Sequence, residues 1–264
     1  MSAIMEIPTI TPAMKQQFQD EGYFILERAL GDYFLELLRG ECQIFIDLIH
    51  AEMDKQGTDV LHINHRGKRY FIGNRWREST RLHEFLFSDL MAEVCRATLG
   101  PDAFLFVEQF VLKAAEVGMK FAWHQDSGYL GPQTPHKPYL SCWCALDDMK
   151  VENGTIDILP FSRFDSRETM QHEQEKGTND MVGYFGEDSG VPVIVPAGSI
   201  AVFSSRMFHR SGSNLTKTMR RVYLAQYSCE PILRNDGSGK SWGMAVPFLK
   251  RGANIFDLSR ETIS

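Results

Sequence analysis

The feature that most limits how this chain can fold is a change of hydrophobic period at Gly100-Pro101. Before it, apolar residues recur every three or four positions. After it, they come in short runs rich in β-branched and aromatic residues. The runs are 104–113, 139–146, 155–159, 191–195, 199–203 and 222–228, and turn signals separate them: Gly131-Pro132, Asn153-Gly154, Leu159-Pro160 and Pro196-Ala197-Gly198. Many short strands punctuated in this way predict a β-sandwich or jelly roll rather than a parallel sheet.

Upstream, the pattern is helical. Thr11-Pro12 reads as an N-cap with proline at the first helical position, and the helix stops near Gly22. A short strand, 23–26, follows. Phe34, Leu37, Leu38, Phe45, Ile46 and Ile49 then predict a longer helix from about Asp32 to Gly57, and a third helix spans about 79–99. Between these two helices lies a basic stretch containing His62, His65, Arg66, Lys68, Arg69, Arg75 and Arg77. It reads either as solvated surface or as a flap offering cations to an anionic substrate. Residues 165–190, rich in Glu, Gln, Gly and Asp, read as a long insertion of the kind that forms lids. Trp242, Met244 and Phe248 let an irregular tail pack back on the body. The expectation is one domain over 1–264: a helical part at about 9–100, a jelly-roll core at about 101–232 and a tail at 233–264.

Composition narrows the class. A formal net charge of −6 leaves no basic footprint for nucleic acid, and no apolar run reaches the length of a membrane span. The first eight residues lack the cationic and apolar regions of a signal peptide. Five scattered cysteines, an odd number, argue against a disulfide framework and for a reducing compartment, so a cytoplasmic location is expected. The partner expected is a small-molecule substrate. Nothing in the sequence specifies an oligomeric state.

The chemistry is concentrated in two places. In Trp123-His124-Gln125-Asp126, an extended backbone puts His124 and Asp126 on one face, where an imidazole and a carboxylate can share an ion. Alone, that triplet is equally a surface loop. Farther on, His209 is followed by Ser211, Gly212 and Arg220. Two His and one carboxylate compose the facial triad of non-haem Fe(II) oxygenases, with positions left open for a co-substrate and O₂. Two other readings share the scaffold: a cupin-like hydrolase or isomerase using another divalent ion, and a catalytically silent binding protein. Arg220 separates the first of these, which needs no dicarboxylate anchor.

Taken together, His124-x-Asp126, Asn153-Gly154-Thr155, Pro196-Ala197-Gly198-Ser199, and His209-x-Ser211-Gly212-x-Asn214 with Arg220 resemble the phytanoyl-CoA dioxygenase family. The likeness runs from Glu21-Gly22-Tyr23 to about Glu230. It implies a mainly β fold with flanking helices, whose core is a double-stranded β-helix, a distorted jelly roll. It also implies a dioxygenase using Fe(II), 2-oxoglutarate and O₂ to hydroxylate or otherwise oxidise a substrate C–H bond, releasing succinate and CO₂. On this resemblance His124, Asp126 and His209 are the metal and catalytic residues. Arg220, Ser211, Gln109 and Trp143 contact 2-oxoglutarate, and Lys113, Tyr129 and Arg163 are candidate substrate contacts. Relatives that halogenate lack the carboxylate, so Asp126 favours hydroxylation. The chain departs from the family where Pro160-Phe161-Ser162-Arg163 replaces Pro-Gly-Ser-His, and this turn is expected to be rebuilt.

Overall fold

In the computed structural model, which describes residues 8–115, 120–130, 134–176 and 180–261, the change of period at Gly100 marks the passage from helices to strands. The turn expected at Gly131-Pro132 lies outside the described residues. Chain order begins with α1 (Pro12–Glu21), β1 (Tyr23–Leu26) and α2 (Gly31–Gln56), then β2 (Val60–Leu61), β3 (Asn64–His65) and β4 (Arg69–Gly73). Helices α3 (Leu82–Leu86) and α4 (Asp89–Thr98) follow. The β region comprises β5 (Ala103–Lys113), β6 (Phe121–His124), β7 (Leu140–Ala145), β8 (Ile156–Leu159), β9 (Glu173–Gln174), β10 (Met181–Val182), β11 (Val191–Pro192), β12 (Ile200–Ser204), β13 (Phe208–Ser211) and β14 (Arg220–Ser228). The tail adds β15 (Val246–Lys250) and β16 (Ala253–Asn254).

Helix ends follow their local chemistry. Thr11 Oγ1 accepts the Met14 amide, with Pro12 opening α1 and Gly22 closing it at φ 83°. The helix expected over 79–99 is two helices. Ser88 interrupts it, its Oγ accepting the Met91 amide and starting α4 afresh. The tail is more regular than its composition implies, since β15 pairs with the start of β5.

Among the described residues the strands form two large antiparallel sheets and a separate β9–β10 pair. The larger runs β1-β12-β7-β14-β5-β4-β3-β2, and the smaller β11-β8-β13-β6. They face each other as a jelly roll, and alternation along each strand sorts its side chains. On β14, Tyr223, Ala225 and Tyr227 pack against the helices in the main core. Val222 and Leu224 face the smaller sheet, packing with Ile156 and Ile158, so Arg220 and Gln226 project the same way. On β5, likewise, Phe110 and Leu112 join the helical side, which sends Gln109 and Lys113 inward.

Glu108, on the helical face of β5, is fully buried. Its carboxylate accepts the Trp76 amide (2.9 Å) and the Tyr223 hydroxyl (2.9 Å). Burial pushes its carboxyl up to about 7 despite these bonds. Because the folded chain keeps that proton where the unfolded chain has lost it, stability falls as pH rises from the ordinary carboxylate range to about 7. Glu108→Gln keeps an acceptor and removes the charge. Thermal melts across pH 5 to 8 should therefore show a flatter profile for the variant, with most of the difference above about pH 7. Parallel profiles would remove Glu108 as the cause.

Candidate active site

Pairing between β6 and β13 sets His209 directly opposite His124, with ring centroids 4.2 Å apart. His124 is the last residue of β6. The backbone then leaves the strand for a 3-10 turn over Asp126–Leu130. The extended geometry expected for His-x-Asp is therefore corrected: the turn, not strand alternation, brings Asp126 round to the imidazoles. One ligand atom from each of His124, Asp126 and His209 lies within 4.8 Å of the other two, and His209 Nε2 is 3.6 Å from Asp126 Oδ1.

The surrounding bonds aim these atoms at a common point. Each imidazole directs Nδ1 at a backbone carbonyl two residues upstream, His124 at Ala122 (2.8 Å) and His209 at Met207 (3.3 Å), which leaves Nε2 for a metal. Burial, then the neighbouring His209, pushes the His124 imidazole below its ordinary range, which favours the neutral form that a ligand nitrogen must have. Asp126 Oδ2 is occupied by Ser141 Oγ–H (2.5 Å) and Gln226 Nε2–H (2.9 Å), leaving Oδ1 facing His209. The sequence reading missed Ser141 and Gln226. Both carried a signal, since Ser141 shares a face with Trp143 and Gln226 with Arg220. Gln226→Leu should lower Fe(II) affinity by about 10- to 100-fold, as loss of a partner to a ligating carboxylate typically does. Fe(II) titration of the variant checks this, and an unchanged affinity would mean that Ser141 alone orients Asp126.

A cavity of about 470 Å³ opens over these three residues, and Gln109, Trp143, Ser211 and Arg220 also line it. Arg220 is 2% exposed. Its Nη1 and Nη2 donate to the carbonyls of Val111 (3.3 Å) and Gly154 (3.1 Å), while its Nε is buried with no partner. Burial pulls its pKa down to about 10. Gly154 itself passes close to the 212–213 backbone: its φ is 72°, and a Cβ there would lie 2.5 Å from the Gly212 carbonyl oxygen. Lys113 sits opposite Arg220 in the β5–β14 register and is fully buried. Its Nζ donates to Ser211 Oγ (2.7 Å) and to the Gly212 carbonyl. Burial, then Arg220, pulls its ammonium down to about 6. The expected substrate contact at Lys113 is thus corrected, because its head group lies behind Ser211.

Other expectations sort cleanly. Tyr129 lines the cavity with its ring edge-on to His124. Arg163 does not, and its assignment as a substrate contact is corrected. The rebuilt turn packs the Phe161 ring over Gly22 and sends Arg163 to a bidentate pair with Asp188. Arg221 faces away from the site and pairs with Asp147. In the basic stretch, Arg66 pairs with Asp54 and Asp59, Arg75 with Glu78, and Arg77 with Glu261. Arg69 alone of these arginines lines the cavity.

The insertion is clasped to the metal loop. The buried Gln125 side chain donates to the carbonyls of Glu168 (2.9 Å) and Arg206 (2.5 Å) and accepts the Met170 amide (2.7 Å). Its own amide donates to His172 Nε2 (3.0 Å). A Cβ at Gly128 or Gly183 would collide with the His172 ring, so both positions require the smallest residue.

A jelly roll carrying two imidazoles, one carboxylate and a buried guanidinium around one cavity has the features of the 2-oxoglutarate-dependent non-haem iron oxygenases. The sequence pattern described as phytanoyl-CoA dioxygenase matches residues 18–222. The chain belongs to the phytanoyl-CoA dioxygenase family and is an Fe(II)- and 2-oxoglutarate-dependent dioxygenase. It is 24% identical over 252 residues to phytanoyl-CoA dioxygenase domain-containing protein 1 of Danio rerio, covering 79% of this chain and 86% of that one. Solved structures share the fold, and two of them illustrate it. One is the non-haem α-ketoglutarate-dependent carbocyclase SnoK from nogalamycin biosynthesis, with TM-score 0.69, 16% identity, and coverage of 92% of this chain and 97% of that one. The other is EvdO2 from Micromonospora carbonacea var. aurantiaca complexed with 2-oxoglutarate, with TM-score 0.63, 20% identity, and the same coverage. No helix among the described residues is long and apolar enough to cross a membrane.

Proposed function

We propose that His124, Asp126 and His209 hold the iron, and that Arg220 and Ser211 receive the distal carboxylate of 2-oxoglutarate, with Lys113 holding Ser211 from behind and Gln109 and Trp143 walling the co-substrate. The observation that carries this reading is an orphaned Nε on a buried guanidinium, in the same cavity as a three-ligand cluster. A buried cation whose hydrogen-bond partners are carbonyls is costly unless an anion joins it. A carboxylate fits a guanidinium fork in a way that a neutral ligand does not.

When bound, the iron supplies the O₂ activation that converts 2-oxoglutarate to succinate and CO₂ and oxidises the substrate. The chain's own residues place the reactants. Ser141 and Gln226 fix the Asp126 carboxylate, the Ala122 and Met207 carbonyls fix the imidazoles, and Trp143 lies under the Arg220 guanidinium at 5.8 Å. The aromatic walls exclude water. The substrate is a small molecule, since the cavity is within the usual range of about 300–1,000 Å³ for such ligands. We read the chain as one catalytic domain, and the five free cysteines support a cytoplasmic location.

Two assays test this reading. Anaerobic addition of Fe(II) and 2-oxoglutarate should produce a weak visible charge-transfer band, and a small-molecule panel scored by stimulated succinate release should identify substrates. A featureless anaerobic spectrum would overturn the assignment.

A further inference from the structure

The part of the cavity away from Arg220 is built differently from the co-substrate end. Three large apolar side chains on its wall are substantially exposed: Ile63 at 45%, Tyr129 at 45% and Trp242 at 38%. They come from the basic stretch, the metal loop and the C-terminal tail, which share no sequence proximity. Their exposure marks them as the cavity's mouth. Exposed apolar groups that converge on one opening, rather than scatter, mark a binding surface.

Trp242 is held in place by its backbone. Its amide donates to the Ile232 carbonyl (2.8 Å), and the Met244 amide donates to the Phe106 carbonyl (2.8 Å). Gly243 between them lies so close to Phe106 that a Cβ would overlap it. The indole is therefore presented by a fixed strand of tail. Deeper in, the Phe106 and Tyr139 rings lie 4.8 Å apart.

Arg210 is paired with Asp157 (3.0 Å), and Arg234 lies over the Trp242 ring, 5.1 Å from its centroid, so a cationic ligand there would meet a like charge. Planar rings find several aromatic faces and edges disposed for offset or edge-on contact.

We propose that this enzyme oxidises a ring-bearing small molecule, and that Trp242 is the residue that selects it at the mouth. This rests on the iron and 2-oxoglutarate reading above and adds the substrate class.

The test uses the full chain with Fe(II) and 2-oxoglutarate, under anaerobic conditions, and two probes of equal carbon number: 2-naphthol and 1-decanol. Affinities are measured by calorimetry. 2-Naphthol should bind about tenfold or more tighter than 1-decanol, a difference of about 1.4 kcal/mol. Trp242→Ala should weaken 2-naphthol by a similar factor and Trp242→Phe should restore most of it, while both variants keep the wild-type visible band. Equal or tighter binding of 1-decanol overturns the proposal using wild-type protein alone, whatever the variants do. Unchanged 2-naphthol affinity in Trp242→Ala overturns the role of Trp242. Loss of the visible band in the wild type would instead refute the underlying iron and 2-oxoglutarate reading, so the two failures are distinguishable.

Discussion

Arg220→Leu should weaken 2-oxoglutarate binding by about 30-fold or more, because truncating one partner of a buried, hydrogen-bonded charge pair costs about 2–5 kcal/mol. Fe(II) affinity should hardly change, since Arg220 contacts none of the three proposed ligands; its hydrogen bonds go to the Val111 and Gly154 carbonyls. Thermal stability supplies an independent readout. Without co-substrate, the variant should melt at or above the wild-type temperature, because leucine replaces a buried charge that lacks an anionic partner. With 2-oxoglutarate, the wild type should gain stability and the variant should not. Arg220→Lys should fall between them, because an ammonium keeps the charge but cannot form the planar two-point contact. Equal losses of iron and co-substrate in Arg220→Leu would show that the anchor is misassigned.

His209→Ala should reduce iron content and succinate formation together, each by more than about 100-fold, exceeding the effect typical of losing a partner one step removed from the metal. His209 sits in a paired strand opposite His124, with its Nδ1 directed at Met207, and among the described residues no fourth His, Cys, Asp or Glu joins the cluster to replace its Nε2. Metal analysis and a coupled succinate assay read the two losses. A variant that keeps stoichiometric iron while losing activity would make His209 something other than a ligand.

Some of this site was legible in the sequence, and the divisions have physical causes. His124, Asp126, His209 and Arg220 stood out because each lies in a short motif whose residue types and spacing carry chemistry by themselves. Ser141 and Gln226 did not, though they hold Asp126 in place. Alternation put both on inward faces, but only the packing of β7 and β14 beside the metal loop reveals what they reach. Lys113 shows the same limit. Its inward direction followed from β5, whereas its place behind Ser211 depends on the β5–β14 register, which brings it opposite Arg220.

The strands followed a similar rule. Long apolar runs such as 104–113 and 222–228 emerged close to their expected bounds. Four-residue β6 and β13, which carry the histidines, were not recognised as strands, because polar functional residues dilute the hydrophobic signal and distant pairing stabilises them. Ser88 splits a helix whose apolar spacing is continuous, so the break depends on one hydroxyl capping an amide. Arg163 looked inward only by position in a motif. Its guanidinium instead found Asp188, 25 residues away in the insertion, a contact that the motif does not encode.

The most direct test of the account is a crystal grown anaerobically with Fe(II) and 2-oxoglutarate, with anomalous diffraction collected at the iron edge. One peak should fall among His124 Nε2, His209 Nε2 and Asp126 Oδ1, with the co-substrate's far carboxylate against the Arg220 guanidinium and Ser211. An iron peak elsewhere, or a co-substrate whose far carboxylate lies away from Arg220, would contradict it.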